Sequence, residues 1–297
     1  MFNELITYWL YKKRADKTIT TLVLMFSFLV YSAATVAASP DASKLMQEYF
    51  ERARVDDEIS RVTFTFSKPG EEDKKLVYRV FWKNYGADET FISKTLFFAE
   101  YPPAERGKSY LGMYRKPGSG EKDAEWIYLP DLRQVMRLTT KDGHHHQHDH
   151  NKDHKDELFG KSVLNRSHLD PRPPSLDNHQ FVIMEDVNGR PHYMIESRPK
   201  SGDRSFPYSK IIYWLDKDNK VASRIHFVDQ LDSVSVTMNI DWQEEKGKWV
   251  WKKVVGRNTE KNETTTIDSS KIHVNVGLED GLFSKRNMEK GLENLRL

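Results

Sequence analysis

Glu125-Trp-Ile-Tyr-Leu-Pro-Asp-Leu-Arg-Gln-Val-Met-Arg-Leu138 holds two apolar runs on either side of a Pro-Asp turn, and this pattern predicts a β-hairpin. Trp126 and Tyr128 alternate with Ile127 and Leu129, so both faces of the first strand are apolar. Such a strand is expected where each side of the sheet is packed or lined by a ligand. The hairpin therefore indicates a sheet with two covered faces.

Strands of the same kind precede and follow this hairpin. Residues 62–66 read Val-Thr-Phe-Thr-Phe, which is the two-residue period of a strand with one buried face. The pair Asn188-Gly189 between two further runs predicts a tight hairpin turn. The remaining strands are predicted near residues 75–83, 90–100, 109–114, 180–185, 192–197, 208–215, 220–228, 234–240, 249–255 and 264–276.

One helix is predicted before the strands and a short one after them. The first begins near Lys44 and carries a single apolar stripe, formed by Leu45, Met46, Tyr49, Phe50 and Ala53. The second follows Ser284 and carries Met288, Leu292 and Leu295. Consecutive antiparallel strands must close into a barrel or have their open face covered. The two helices are the available covers, either over an apolar cavity or over an ordinary packed core.

The N-terminal residues 1–38 have the composition of an export signal. Lys12, Lys13, Arg14 and Lys17 precede an apolar run over residues 18–36, and small residues follow it. We expect cleavage after Ala38, which leaves a single domain at residues 39–297. The alternative is an uncleaved anchor, because the run approaches the ~20 residues that span a bilayer.

Composition excludes several classes of function. The chain has 46 Lys and Arg, four of them in residues 1–38, and 44 Asp and Glu, two of them there, so the remainder carries 42 of each sign. A neutral domain lacks the basic surface expected of a nucleic-acid-binding protein. The chain contains no cysteine, which excludes disulfides, thiolate metal sites and cysteine nucleophiles.

Four segments resemble the outer-membrane lipoprotein-sorting (LolA-like) family of exported bacterial proteins. They are Gly107-Lys-Ser-Tyr-Leu111, the stretch from Trp126 to Leu138, Tyr208-Ser-Lys-Ile-Ile-Tyr-Trp-Leu-Asp216, and Asn275-Val-Gly-Leu-Glu-Asp-Gly-Leu-Phe283. They occur in the order found in the family, and the resemblance covers residues 41–290.

The resemblance implies a mainly β fold, an incomplete, strongly curved antiparallel β-barrel of about 11–12 strands with helices as a lid. It also implies an apolar cavity for acyl chains and, as a partner, an inner-membrane exporter of the resistance-nodulation-division type. Alternation and the resemblance together give these candidates for the cavity wall: Phe64, Tyr78, Val80, Trp126, Tyr128, Tyr213 and Ile225.

One segment departs from the family. Gly160-Lys-Ser-Val-Leu-Asn-Arg-Ser-His-Leu169 replaces an acidic and aromatic segment, and a His-rich loop at residues 142–157 precedes it. Neutral imidazoles bind Zn²⁺, Cu²⁺ or Ni²⁺, and six of the eleven histidines fall within this loop. The candidate ligands are His144, His145, His146, His148, His150 and His154. A solvated, low-complexity insertion is the alternative interpretation.

The sequence offers no catalytic assignment. It lacks a Gly-x-Ser-x-Gly elbow, a phosphate-cradling glycine loop and a His-Glu-x-x-His helix. We therefore predict a non-enzymatic periplasmic carrier of lipid or lipoprotein acyl chains, which needs no cofactor. The alternative is a periplasmic metal-binding accessory protein that uses the His-rich loop.

Overall fold

A computed structural model describes residues 39–85, 90–116, 123–138, 162–169, 172–200 and 206–295. The predicted export signal at residues 1–38 and the His-rich loop at residues 142–157 lie outside these ranges. Among the described residues, no helix has the length and apolar character needed to cross a bilayer.

The described part of the chain contains thirteen strands, three α-helices and four single-turn 3₁₀ helices. The strands are β1 (Asp57–Ser67), β2 (Lys74–Asn84), β3 (Phe91–Tyr101), β4 (Ser109–Arg115), β5 (Ala124–Leu129), β6 (Gln134–Leu138), β7 (Asp177–Val187), β8 (Arg190–Pro199), β9 (Lys210–Asp216), β10 (Ala222–Val228), β11 (Val234–Glu245), β12 (Lys248–Asn258) and β13 (Thr264–Val274). The α-helices are α1 (Ala42–Ala53), α2 (Arg166–Leu169) and α3 (Lys285–Lys290).

All thirteen strands form one antiparallel sheet with the order β6-β5-β4-β3-β2-β1-β13-β12-β11-β10-β9-β8-β7. The first and last strands, β1 and β13, pair in the middle, and β6 and β7 are the two edges. The sheet does not close, so the fold is the predicted incomplete antiparallel barrel. Its thirteen strands match the strands marked in the sequence and exceed the about 11–12 that the resemblance implies. The predicted hairpins are confirmed, and both residues of the Asn188-Gly189 turn have positive φ.

The sheet has a concave face, which we define as the face that carries Val62, Phe64 and Phe66 of β1. These three side chains are buried, whereas Thr63 and Thr65 between them are half-buried on the opposite, convex face. The largest hydrophobic cluster lies on the concave face and joins residues of β1–β3 to residues of β9–β13. Strands that are far apart in the sheet therefore share one core, which means that the sheet is strongly curved.

Helix α1 covers part of the concave face, as the sequence predicts. The Asp41 side chain caps it by accepting a hydrogen bond from Lys44 N at 3.1 Å. Ala42, Leu45 and Met46 lie on the face of α1 that meets the sheet, and they are buried in the concave core.

The expectation that the C-terminal helix covers the open face of the sheet is wrong. Residues 278–295, including α3, pack on the convex face and do not cover the concave face. Met288 and Phe283 are buried there against Phe81, Leu96 and Leu111, which alternate with concave-face residues in β2, β3 and β4. Both faces of these strands are therefore covered, which explains why they are apolar on both sides.

A crossing segment, residues 162–169, lies between β6 and β7 in the chain and packs on the concave face. Leu164 is fully buried in the concave core, and Val163 N donates a hydrogen bond to Thr265 Oγ1 of β13 at 3.0 Å. Arg166, in α2, reaches the other half of the sheet and lies over the ring of Tyr114 in β4, 3.5 Å from its centroid. Helix α1 and the crossing segment therefore both pack on the concave face of the sheet.

Candidate ligand cavity

A cavity of about 260 Å³ lies between the concave face, α1 and the crossing segment. Apolar and aromatic side chains form most of its wall. The helix contributes Tyr49, Phe50 and Ala53, and the strands contribute Val62, Phe64, Val80, Phe97, Ile211, Tyr213, Ile225, Phe227 and Ile267. A concave, mostly apolar site with a few polar groups is the usual form of a small-molecule site.

Tryptophans and tyrosines supply a large part of the wall. Trp82, Trp242, Trp249 and Trp251 all line the cavity. The ring of Tyr49 meets those of Tyr213 and Trp242 at centroid distances of 6.1 and 6.2 Å. Burial raises the pKa of the Tyr49 and Tyr213 hydroxyls above the usual range. Both phenols therefore stay neutral, and this part of the wall carries no charge.

The crossing segment contributes charged groups that already have partners. Arg166 Nη1 donates to Asp123 Oδ2 at 2.9 Å while its guanidinium lies over Tyr114. Arg172, just beyond the segment, donates from Nε to both carboxylate oxygens of buried Asp177, at 2.9 and 3.0 Å. These cations are satisfied by protein carboxylates, so they position the segment.

His168 in α2 is a structural histidine. Its Nδ1 accepts a hydrogen bond from Asn165 N at 3.0 Å, so Nε2 carries the proton and donates it to Tyr208 Oη. The ring also packs edge-on against Phe227, with centroids 4.6 Å apart. Burial lowers the pKa of His168 to about 4, which keeps the ring neutral.

Glu58 is the one carboxyl group among the described residues of the cavity wall. It lies at the start of β1, opposite Trp82 of β2. Burial raises the pKa of its side chain, and the Ser60 hydroxyl opposes that shift. The hydroxyls of Thr95 and Ser269 also line the cavity.

The structure brings together four of the seven predicted wall residues, Phe64, Val80, Tyr213 and Ile225. Tyr78 lies on the same face but packs among Phe64, Phe97 and Tyr110, behind the wall.

The prediction that Trp126 and Tyr128 line the cavity is wrong, because both lie on the convex face. They pack there with the residues of the C-terminal segment 278–295, and Lys285 lies over the Trp126 ring. Trp126 pairs with Leu111, and Leu111 pairs with Leu96, so strand pairing places Trp126 on the face of these convex-side residues. Ile127 pairs with Tyr110 and belongs to the concave side.

Sequence reasoning missed the four tryptophans, Glu58 and the crossing segment. Glu58 could have been found, because it lies four and six residues before Val62 and Phe64 and shares their face in a regular strand. The crossing segment left no comparable signal, since its short apolar run has no strand or helix period.

The described residues contain no group of three or more His, Asp or Glu side chains that could hold a metal ion. The six candidate ligands from His144 to His154 lie outside the described residues. The metal hypothesis thus stays a prediction.

Several solved structures share this fold. A DUF1329 family protein from Desulfovibrio piger superposes with a TM-score of 0.68 at 20% identity, covering 83% of this chain and 97% of that one. An outer membrane lipoprotein-sorting protein domain from Vibrio parahaemolyticus gives 0.66 at 21% identity, covering 84% and 98%. A LolA superfamily protein from Nitrosomonas europaea gives 0.55 at 17% identity, covering 84% and 100%. At these identities the likeness concerns the fold.

A family model described as "Uncharacterized protein" matches residues 92–290, more than half of the chain, and the chain belongs to that family. A search of the curated proteins finds no match.

Proposed function

We propose that this protein is an exported carrier that binds acyl chains of lipids or lipoproteins in the cavity beneath α1. The observation that carries the proposal is the cavity itself, whose wall joins apolar residues of α1, β1–β3 and β9–β13. The LolA-like fold and the export-signal composition of residues 1–38 support it.

The size of the cavity limits its cargo. Its volume of about 260 Å³ is close to the lower end, roughly 300 Å³, of ordinary ligand pockets. As it stands, the cavity suits a single acyl chain or part of one. Larger cargo requires α1 or the crossing segment to move away from the sheet. Helix α1 is held by its apolar stripe in the core and by a hydrogen bond from Lys248 Nζ to Glu51 O at 3.1 Å.

The polar groups of the described wall favour a carrier over an enzyme. The one histidine, His168, has both ring nitrogens engaged and is neutral because it is buried. Arg166 and Arg172 are paired with Asp123 and Asp177. A hydrolytic site needs a nucleophile in contact with a free base, and this histidine does not supply one.

The resemblance of the sequence to lipoprotein-sorting proteins supports a periplasmic location and a partner that loads or unloads the carrier. We propose an inner-membrane exporter of the resistance-nodulation-division type as that partner. Co-purification of the two proteins after crosslinking in cells tests this part, and a carrier that loads from vesicles without the exporter contradicts it.

A blocked cavity tests the carrier function. Ala53 lines the cavity from the last turn of α1, whereas its neighbour Arg52 is exposed. We expect Ala53→Trp to weaken uptake of a fluorescent fatty-acyl methyl ester at least tenfold, and the matched control Arg52→Trp to leave it unchanged. Mass spectrometry of organic extracts of the wild-type protein should show bound lipid. A wild-type protein that contains no lipid and takes up no probe, while circular dichroism shows intact β-structure, contradicts the proposal.

A second proposed function is metal binding by the His-rich loop, which the run of six histidines favours. The two functions separate by deletion. Removal of residues 144–154 should abolish metal binding and spare acyl uptake, and Ala53→Trp should do the reverse.

A further inference from the structure

The polar side chains that β1 contributes to the cavity lie at one end of the strand, and the crossing segment contributes others, including Ser167 and His168. Along β1 the concave positions run Glu58, Ser60, Val62, Phe64 and Phe66, so the face changes from polar to aromatic over one strand. At this end of β1 a row of neighbouring residues runs across three strands, because Glu58 pairs with Trp82 of β2 and Trp82 pairs with Thr95 of β3. Glu58, Trp82 and Thr95 all line the cavity.

Glu58 has no cationic partner among the described residues. The ion pairs of the cavity wall are those of Arg166 with Asp123 and Arg172 with Asp177. A carboxylate buried in an apolar wall is costly unless it is paired, and protonation removes that cost. Burial accordingly raises the pKa of Glu58. The protonated acid both donates and accepts hydrogen bonds.

We propose that Glu58, together with Ser60 and Thr95, forms the polar anchor of the cavity and selects acyl ligands that carry an uncharged hydrogen-bonding group, such as the ester and hydroxyls of an acylglycerol. This inference rests on the proposed carrier function and adds the chemistry of its cargo. The acyl chain lies toward Phe64 and Ile225, and its ester lies beside Glu58.

The same arrangement disfavours two other classes of ligand. A fatty-acid anion would lie beside the Glu58 carboxyl with no free cation to offset its charge, since the arginines of the described wall have carboxylate partners. An alkylamine would require Glu58 to ionise in an apolar wall. Each class gives a distinct outcome in a binding experiment.

The experiment measures displacement of the fluorescent acyl methyl ester by 1-monooleoylglycerol, oleic acid, oleylamine and 1-octadecene, in wild-type, Glu58→Gln and Glu58→Leu proteins. The amide of glutamine keeps a donor and an acceptor, so Glu58→Gln should bind the monoacylglycerol within about threefold of wild type. Glu58→Leu should bind it roughly tenfold more weakly, because one buried hydrogen-bonding partner is lost. Binding of octadecene, which has no polar group, should not fall in either variant.

Equal binding of the monoacylglycerol by wild-type and Glu58→Leu proteins overturns the inference. So does a preference for oleylamine that Glu58→Gln and Glu58→Leu abolish equally, because that result assigns Glu58 to a cation. Thr95→Val provides a second variant should Glu58→Leu fail to fold, and it should weaken binding of the monoacylglycerol but not of octadecene. If the wild-type protein binds none of the probes, the carrier function itself fails, whereas unselective binding by the wild type overturns only this inference.

Discussion

The side chain of Leu164 occupies the space in which any residue other than glycine at position 256 would place its Cβ. A Cβ built on Gly256 would lie 2.4 Å from Leu164 Cδ2 and 2.5 Å from Leu164 Cγ. Gly256 lies on β12, and Leu164 is fully buried within the crossing segment. The absence of a side chain at position 256 thus lets Leu164 of the crossing segment pack into the concave core.

A double-mutant cycle on this pair tests the packing. Leu164→Ala should lower the free energy of unfolding by roughly 2–5 kcal/mol, the usual range for a buried leucine. Gly256→Ala should also destabilise, because Leu164 is enclosed and has little room to move. The double variant should be more stable than the sum of the two losses implies, since truncation of Leu164 makes room for the new methyl group. Urea unfolding followed by tryptophan fluorescence gives the three values, and strict additivity contradicts the contact.

The stability of the protein should fall in acid because of His168. The pKa of His168 is about 4 in the folded protein, below its ordinary value of 6.5, because the ring is buried. The unfolded chain therefore binds a proton first, and stability that is present above pH 6.5 is lost as the pH falls toward 4. The loss should reach about 3 kcal/mol over that window. Protonation also removes the Nδ1 acceptor that Asn165 N uses.

The matched variant for this prediction is His168→Gln, which has no titrating ring. It should be less stable than wild type at pH 7.5, and its stability should fall less steeply between pH 6.5 and 4. Parallel curves for the two proteins would show that another group causes the acid sensitivity.

Asp280 should hold the C-terminal segment on the convex face. Its Oδ2 accepts a hydrogen bond from Lys94 Nζ at 2.7 Å, and its Oδ1 accepts one from Tyr85 Oη at 2.5 Å. Burial opposes ionisation, but these donors and Lys83 lower the pKa of Asp280 to about 2. The pairing is thus present above the ordinary pKa of 3.8 and is lost only as the pH falls through about 2.

Asp280→Asn should destabilise the protein by roughly 1 kcal/mol, because it leaves the largely buried ammonium of Lys94 without its carboxylate, while the exposure of Asp280 to solvent weakens the pair. Exposed Glu279→Gln is the neighbouring control and should have no comparable effect. Limited proteolysis should cleave the Asp280→Asn variant faster within residues 278–295. Equal cleavage of both variants would show that the apolar contacts of α3 are sufficient.

Export should remove the N-terminal segment. We expect protein recovered from the periplasm to begin at or near Ser39, since small residues follow the apolar run at residues 18–36. Intact-mass measurement decides. Protein that still begins at Met1 and sediments with the inner membrane supports the uncleaved anchor.

Metal binding by the His-rich loop should depend on pH. If several of the six histidines ligate one ion, affinity should fall sharply below pH 6, as imidazoles with an ordinary pKa of about 6.5 become protonated. Calorimetry with Zn²⁺ at pH 7.5 and 5.5 measures this. A variant with Asn at all six positions is the control, and weak binding without a defined stoichiometry supports the solvated insertion.

Local pattern was sufficient for the strands and turns. The alternation over residues 62–66 and the Asn188-Gly189 turn are short-range properties, because strand side chains alternate between faces and only certain residues adopt positive φ. The apolar stripe of α1 is also a short-range property, because it depends on residues three and four positions apart. Such features can be predicted from the sequence because each is set by residues within a few positions of one another.

Tertiary structure alone decided which face of each strand meets the cavity. A period of two shows that Trp126 and Tyr128 share a face, but it does not show toward which side the sheet curves. That choice came from the C-terminal segment, which covers the convex face more than 130 residues later in the chain. The place of Leu164 against Gly256 was likewise fixed by contact across the fold. The sequence by itself determined the elements and their order, whereas long-range packing decided which apolar residues became cavity wall and which became core.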